Sequence, residues 1–181
     1  LIEQGYAADI GAFFSSPQLR ARETVENIVN ALGEEAVCTN YSILESFNEI
    51  ESPLQGTSIA NCESIKWELY NPECIEKLLG SVPPFETFEE AYNRTKQGIE
   101  ELARVCREKN YKSVLVTSHG ACVLAAKLIA NKMQAADRTE VLDDKEFYPK
   151  YCAVISLTID SDGNCISHSE ITGEATDNKK V

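Results

Sequence analysis

The segment Ser113-Val114-Leu115-Val116-Thr117-Ser118-His119-Gly120 runs from an apolar strand into a tight turn. Its continuous, largely β-branched run is typical of a strand that is covered on both faces of a sheet. Apolar residues keep helical spacing before it, over residues 86–108, and again after it, over residues 122–129. Helix, buried strand, turn and helix in this order predict a parallel sheet with crossover helices.

A second strand–turn–helix unit lies near the start of the chain. Residues 10–14 form a short apolar strand, and apolar residues then repeat at helical spacing over residues 25–32. Ser16 is a suitable N-cap, and Pro17 suits the first helical position because its missing N–H costs nothing there. Gly33 predicts the end of this helix.

The remaining apolar patterns complete the expected fold. Residues 37–44 predict a further strand. Residues 153–159 and 164–169 predict an antiparallel hairpin, joined by a turn at residues 160–163. We therefore predict the α/β class, as a three-layer α/β/α sandwich with a mostly parallel sheet and an antiparallel edge strand.

Length and local composition indicate the domain organisation. A chain of 181 residues fits one domain, which we place at residues 1–172. Residues 45–85 are rich in proline and glycine and predict loops, with short helices around residues 62–70. We expect this segment to form a cap over the site, and the polar residues 173–181 to form a tail.

The composition excludes several classes of function. A formal net charge of −12 argues against non-specific binding to nucleic acid or anionic membranes, which needs a basic surface. No apolar run approaches the ~20 residues of a membrane helix. The seven cysteines are widely spaced and include no Cys-x-x-Cys, so neither a zinc site nor a disulfide framework is indicated. We therefore expect a cytoplasmic protein that uses no metal ion or other cofactor.

Two side chains suited to binding an anion follow the two predicted strands. Ligands of open α/β sheets bind beyond the carboxyl ends of the strands, where helix N-termini present free N–H groups. Arg20 lies in the opening turn of its helix, and His119 stands directly at the end of its strand. Singly, such residues are often only solvated or structural, and His168 is expected on the surface. Together, Arg20 and His119 are suited to phosphoryl transfer.

Three motifs resemble those of the histidine phosphatase (phosphoglycerate-mutase-like) superfamily. Residues 15–24, SSPQLRARET, are similar to its S-S-P-x-x-R-A-x-x-T signature, and residues 114–121, VLVTSHGA, to its second-histidine motif. Phe85-Glu86-Thr87-Phe88, with Arg94 six residues later, resembles the family's E-S-x-x-E-x-x-x-R helix start. The motifs occur in the family's order over nearly the whole chain, and residues 148–159 are more similar to the phosphatase branch than to the mutases.

The resemblance implies a mechanism. In this family a histidine in an N-terminal R-H-G motif attacks phosphorus and forms a phosphohistidine. A second histidine and two arginines bind the phosphoryl oxygens, which implies these roles for His119 and for Arg20 as the second arginine. An acidic residue protonates the leaving oxygen. Ile43-Leu44-Glu45 resembles the family's L-x-E, whereas Phe47-Asn48-Glu49-Ile50 resembles the N-E-I of the bisphosphatase branch; the preceding strand length favours Glu45, and both carboxylates stay candidates.

The attacking histidine is not among the residues given. The chain contains two histidines, neither follows an arginine, and residues 1–5 resemble the tail of the family's first helix. One interpretation is a piece of a normal enzyme, with a strand, nucleophile loop and helix of roughly 30 residues upstream. The other is a degenerate member that binds phosphate without turnover. The intact later motifs, and the edges that a lost strand would expose, favour the first.

The expected function is therefore phosphomonoester hydrolysis through a phosphohistidine, with the chain as given inactive. Mutase-type phosphoryl transfer and a binding module that holds phosphate or a phosphoprotein without turnover are the alternatives. The expected partners are a phosphorylated small molecule or a phosphoprotein, with a second copy of the chain in a homodimer, rather than nucleic acid or a membrane.

Overall fold

The computed structural model describes residues 9–33, 36, 38–50, 52–54, 57–65, 71–137, 149, 153–160 and 164–171. The strands in this part of the chain are β1 (Ile10–Ser15), β2 (Tyr41–Ile43), β3 (Ser113–Thr117), β4 (Val154–Ile159) and β5 (Cys165–Ile171). The helices are α1 (Leu19–Leu32), α2 (Ile59–Ser64), α3 (Pro72–Leu79), α4 (Phe88–Lys109) and α5 (Gly120–Ala130).

The parallel sheet has the strand order β2-β1-β3. Phe13 of β1 lies opposite Tyr41 of β2 and opposite Leu115 of β3, and both pairings are parallel. The chain crosses from β1 to β2 through α1, the kind of connection that parallel strands require. The α/β class and the strands predicted at residues 10–14 and 113–117 are confirmed. The strand predicted at 37–44 is shorter, and residue 37 lies outside the described residues.

Helices cover both faces of the parallel sheet. On one face, Val25 and Val29 of α1 pack against Phe13. On the other face, Phe14 belongs to an apolar cluster with Ile99 and Leu102 of α4. Because side chains alternate along a strand, the neighbouring phenylalanines of β1 anchor one helical layer each. This is the three-layer arrangement that the sequence predicts.

Helix α1 begins later than predicted. Its first residue is Leu19 and its N-cap is Gln18, whose side chain makes no capping hydrogen bond. The predictions of Ser16 as the N-cap and Pro17 as the first helical residue are therefore wrong. The physical reason is that the backbone N–H of Ser16 donates to the carbonyl oxygen of Thr117 at 3.0 Å. This bond prolongs the contact between β1 and β3 by one residue and delays the helix.

Two other helix boundaries agree with the sequence pattern. Helix α1 ends before Gly33, which adopts a φ of 53°, a left-handed conformation that favours glycine. Helix α4, predicted over residues 86–108, starts behind a capping box formed by Thr87 and Glu90. Its long apolar stripe then reaches both the parallel sheet and α5.

The antiparallel hairpin β4–β5 confirms the prediction for residues 153–169, and within the described residues it pairs only with itself. Helix α5 holds it to the rest of the fold. Lys127 of α5 is 7% exposed, and its Nζ lies 2.7 Å from Glu170 Oε2 of β5. Leu157 and Ile159 of β4 pack against the apolar cluster that contains Ile99.

The segment predicted as a cap contains α2, α3 and a small apolar cluster of its own. Leu54, Ile65 and Ile75 are buried in that cluster. Residues 66–70, the turn residues 161–163 and the predicted tail at 173–181 lie outside the described residues. The domain limits at 1–172 and the position of the cap over the site stay predictions.

None of the helices in the described part of the chain is long and apolar enough to cross a membrane. The described cysteines carry free thiols. Among the same residues, no group of three or more His, Cys, Asp or Glu side chains is arranged to hold a metal ion.

Candidate active site

The candidate site lies at the carboxyl edge of the parallel sheet, where β1 and β3 end side by side. Ser15 is opposite Thr117 in the register, so the two strands stop at the same level. Helix α1 follows β1 and helix α5 follows β3, with His119 as the N-cap residue of α5. The pairing therefore brings the turn that carries Arg20 next to the turn that carries His119.

Arg20 and His119 contact each other directly. The Nε–H of Arg20 donates to His119 Nδ1 at 3.1 Å. His119 is buried, with 6% of its surface exposed, whereas Arg20 is exposed. This contact uses one of the five N–H donors of the guanidinium. The structure thus brings together the two residues predicted to bind an anion, as a buried imidazole and a guanidinium that a ligand can reach.

The surroundings of His119 keep its ring neutral. Burial, and then the charge of Arg20, lower the pKa of His119 from 6.5 to about 4, because both disfavour the imidazolium form. The hydrogen bond from Arg20 has the same consequence. A guanidinium N–H can only donate, so Nδ1 must be the unprotonated nitrogen. Near neutral pH, His119 therefore carries its single ring proton on Nε2.

Ser16 meets the other nitrogen of the ring. Its Oγ lies 2.7 Å from His119 Nε2 and 3.4 Å from Asn48 Oδ1, and it accepts a hydrogen bond from the backbone N–H of Gln18 at 3.3 Å. Ser16 is completely buried. Sequence reasoning missed this contact because it assigned Ser16 to helix capping. The signal that could have found it is the second serine of the S-S-P motif.

Glu49 lies beside Arg20 and the first turn of α5. Burial raises the pKa of its carboxyl group, whereas the backbone N–H of Ile50, the charge of Arg20, the backbone N–H of Ala121 and the charge of Arg94 lower it in part. Its Oε1 accepts the hydrogen bond from Ile50 N at 3.0 Å. A half-buried carboxyl group with a raised pKa keeps its proton to higher pH than an exposed one, as a general acid requires.

The other two side chains singled out in the sequence face solvent. Glu45 begins a 3-10 turn, Glu45–Phe47, and is exposed. Its backbone carbonyl oxygen, rather than its carboxyl group, accepts a hydrogen bond from Arg94 Nη1 at 3.3 Å. His168 lies exposed on β5 opposite Leu157, which confirms its predicted position on the surface.

Arg94 clamps the loop that carries Glu49. Its Nε and Nη2 donate to the two carboxylate oxygens of Glu86, each at 2.7 Å. Its Nη1 donates to the carbonyl oxygens of Ser46 at 2.9 Å and Asn48 at 3.1 Å. The sequence placed Glu86 and Arg94 in a family motif, but it did not reveal that the motif holds this loop.

Three more residues fix the same loop. The hydroxyl of Ser118 donates to the carbonyl oxygen of Phe47 at 2.7 Å. The buried thiol of Cys122 donates to the backbone carbonyl oxygen of Asn48 at 3.0 Å. Gly98 of α4 leaves room for the turn, since a Cβ there would lie 2.8 Å from the Phe47 ring. The backbone of residues 45–48 is thus bound to both α4 and the start of α5.

The chain belongs to a family that fits this fold and site. It matches the family model described as Histidine phosphatase superfamily (branch 1) over residues 3–171. The protein is therefore a member of the histidine phosphatase superfamily, which confirms the resemblance drawn from its motifs. None of the curated proteins with which the sequence was compared matches it.

The chain is similar to several solved structures at low sequence identity. The chain is similar to YhfR of Bacillus stearothermophilus, with a TM-score of 0.57 and 17% identity, over 90% of this chain and 74% of that one. A phosphoserine phosphatase variant from Entamoeba histolytica in complex with phosphoserine gives a TM-score of 0.43 and 17% identity, over 77% of this chain and 66% of that one. Mycobacterial hydrolase 1 gives a TM-score of 0.49 and 16% identity, over 74% of this chain and 63% of that one. The likeness to YhfR supports the α/β fold.

Replacing Arg94 by lysine should lower the free energy of unfolding by about 2 kcal/mol, because one ammonium group cannot hold Glu86 at two points and also reach the loop carbonyls. Chemical denaturation measures the change. The control is Arg104→Lys in the same helix, whose side chain is 56% exposed against 24% for Arg94. It should cost less than about 1 kcal/mol. Equal losses in both variants would contradict the clamp.

His119→Gln should make the fold less sensitive to acid. Folding lowers the pKa of His119 from 6.5 to about 4, so between these values the unfolded state binds a proton that the folded state does not. The free energy of unfolding therefore falls as the pH is lowered from 6.5 to about 4. Unfolding free energies over that range should therefore slope less in the variant than in the parent. His168→Gln, at an exposed position, should keep the parent's slope. A slope that His119→Gln leaves unchanged refutes the buried neutral ring.

Proposed function

We propose that this protein hydrolyses phosphomonoesters through a phosphohistidine intermediate. The contact between Arg20 and His119 at the carboxyl edge of the sheet carries the proposal. The exposed guanidinium of Arg20 offers its remaining N–H donors to phosphoryl oxygens, and the positive end of the dipole of α5, which starts at Gly120, adds to the attraction. Membership of the histidine phosphatase superfamily supports the same chemistry.

The attacking histidine in this proposal belongs to a segment that precedes Leu1. In the described part of the chain β3 pairs with β1 alone, and residues 113–116 are only partly buried despite their apolar run. A further parallel strand beside β3 would cover this edge. Because it would end at the same edge of the sheet, its R-H-G turn would reach the phosphoryl group held by Arg20 beside His119.

The proposed reaction has two steps. First, a ring nitrogen of the attacking histidine forms a bond to phosphorus, the bond from phosphorus to the leaving oxygen breaks, and a carboxylic acid gives that oxygen its proton. Water then attacks phosphorus, the carboxylate takes the proton of the water, and the P–N bond breaks. The products are an alcohol and inorganic phosphate. Arg20 offsets the negative charge on the phosphoryl oxygens in both steps.

Glu49 is the proposed acid, and Glu45 is the alternative. Two features support Glu49. Burial raises the pKa of its carboxyl group, and that group lies near enough to Arg20 for the charge of the guanidinium to lower this pKa in part. Arg94 binds the preceding carbonyl oxygens and holds this loop in place. Glu45 instead faces solvent at the start of its turn.

The proposed substrate is a phosphorylated small molecule or a phosphoprotein. The segment that contains α2 and α3 would form the cap that selects among substrates, since it has an apolar cluster separate from the main core. We further propose that the protein works in the cytoplasm and assembles as a homodimer.

Rapid-quench labelling tests the phosphohistidine. Full-length protein, mixed briefly with a 32P-labelled phosphomonoester and quenched, should carry phosphate that is stable to base and labile to acid. His119→Ala and Arg20→Ala should each reduce the label, because Arg20 contacts the phosphoryl oxygens and His119 orients its guanidinium by accepting a hydrogen bond from it. His168→Ala, at the exposed position, is the control and should label like the parent. A parent that binds phosphate through Arg20 but never takes label would replace the enzyme by a binding module.

Glu49→Gln tests the acid. It should reduce the hydrolysis of alkyl phosphates by about 10²-fold or more, because an alkoxide leaving group needs a proton. It should reduce kcat/KM for p-nitrophenyl phosphate, which reports the first step alone, much less, since that leaving group departs without a proton. Glu45→Gln is the matched variant and should behave like the parent with both substrates. The opposite result, with the selective loss in Glu45→Gln, would assign the acid to Glu45.

A further inference from the structure

The hydrogen bonds around His119 follow a single consistent order of donors. Arg20 can only donate to Nδ1, so the ring proton lies on Nε2 and points to Ser16 Oγ, 2.7 Å away. Ser16 Oγ also accepts from the backbone N–H of Gln18 at 3.3 Å. With both of its lone pairs in use, the hydroxyl of Ser16 donates its own proton to the remaining neighbour, Asn48 Oδ1, at 3.4 Å.

The chain of bonds ends on an atom whose identity is independently fixed. The backbone N–H of Glu49 donates to Asn48 Oδ1 at 3.0 Å. A backbone N–H can only donate, so the atom that Ser16 also meets is the amide oxygen of Asn48 and not its nitrogen. The donors therefore run from Arg20 through His119 and Ser16 to Asn48, next to the peptide of Glu49.

We propose that Ser16 and Asn48 are positioning residues, which hold His119 in its Nε2–H tautomer and tie its ring to the loop of Glu49. Ser16 is completely buried and His119 nearly so. A buried N–H without an acceptor is costly, so the ring keeps the orientation in which Nε2 meets Ser16. The Nδ1 lone pair then faces Arg20. For its catalytic consequence the inference rests on the proposed function, but the tautomer does not depend on it.

The alternative tautomer is excluded by the same neighbours. A proton on Nδ1 would face the Nε–H of Arg20, so two donors would meet. Nε2 would then be an acceptor, and Ser16 would have to turn its hydroxyl proton from Asn48 towards the ring. Asn48 would keep only its bond from Glu49. Ser16 and Asn48 thus act with Arg20 in selecting the tautomer, rather than only filling space beside the ring.

Nitrogen-15 NMR of the histidine rings tests this inference in the full-length protein. In the parent, His119 should show a protonated Nε2 and an unprotonated Nδ1 at neutral pH. Ser16→Ala should give a ring that averages between the tautomers, because the buried Nε2–H loses its acceptor and the exposed side chain of Arg20 can move away from Nδ1. Ser16→Thr, which keeps a hydroxyl, should restore the parent pattern. If the phosphatase is active, Ser16→Ala should lower kcat roughly tenfold with little change in KM, since about one buried hydrogen bond is lost.

Ser15→Ala is the matched control. Ser15 is as completely buried as Ser16, and its hydroxyl donates to the carbonyl oxygen of Ser16 at 2.8 Å. Removing it deletes a buried hydroxyl one residue away without touching the ring, so His119 should keep its tautomer. If Ser16→Ala does not fold, Asn48→Ala should shift the tautomers in the same direction by a smaller amount.

Two results would overturn the inference. One is a ring that stays in the Nε2–H tautomer in both Ser16→Ala and Asn48→Ala. The other is an equal disturbance in Ser15→Ala, which would mean that any lost hydroxyl loosens the ring. The proposed function fails separately. A shifted tautomer in a protein that never takes phosphate label leaves the positioning role standing, whereas a labelled protein with an unchanged tautomer refutes it.

Discussion

Parallel pairing of β1 with β3, with Ser15 opposite Thr117, determines where each side chain of the site lies. The two strands end at one level, so the helices that follow them start side by side and their first turns share one edge of the sheet. Arg20 and His119 are 99 residues apart in sequence but meet at 3.1 Å. The apolar residues of β1, buried on both faces, keep this pairing in register.

The protein's own hydrogen bonds hold the polar atoms at this edge in place. Arg94, Ser118 and Cys122 satisfy the carbonyl oxygens of residues 45–48, so the loop does not have to reorganise when an anion arrives. This matters in a chain with a net charge of −12, whose overall field repels phosphate. Such a field is screened beyond roughly 8 Å at physiological ionic strength. The attraction between phosphate and a guanidinium in direct contact with it can therefore exceed the repulsion from the net charge.

The sequence predicted the parts of the fold that depend on local patterns. The apolar run of β3 and the helical spacing around it are local properties, and Arg20 and His119 could be singled out because each follows a strand. Ser16 could not, because a serine before Pro17 resembles a helix cap, and only its pairing with the distant Thr117 overrides that preference. Whether Glu45 or Glu49 turns inward likewise depends on contacts between segments far apart in the chain.

The central claim is that Arg20 and His119 form one phosphate site, and a double-mutant cycle on phosphate binding tests it most directly. Isothermal titration of inorganic phosphate would compare the full-length parent, Arg20→Ala, His119→Ala and the double variant. The account predicts that each single change lowers affinity about tenfold or more, and that the double variant loses less than the sum, because the residues contact each other. Affinity that neither single change alters would contradict it.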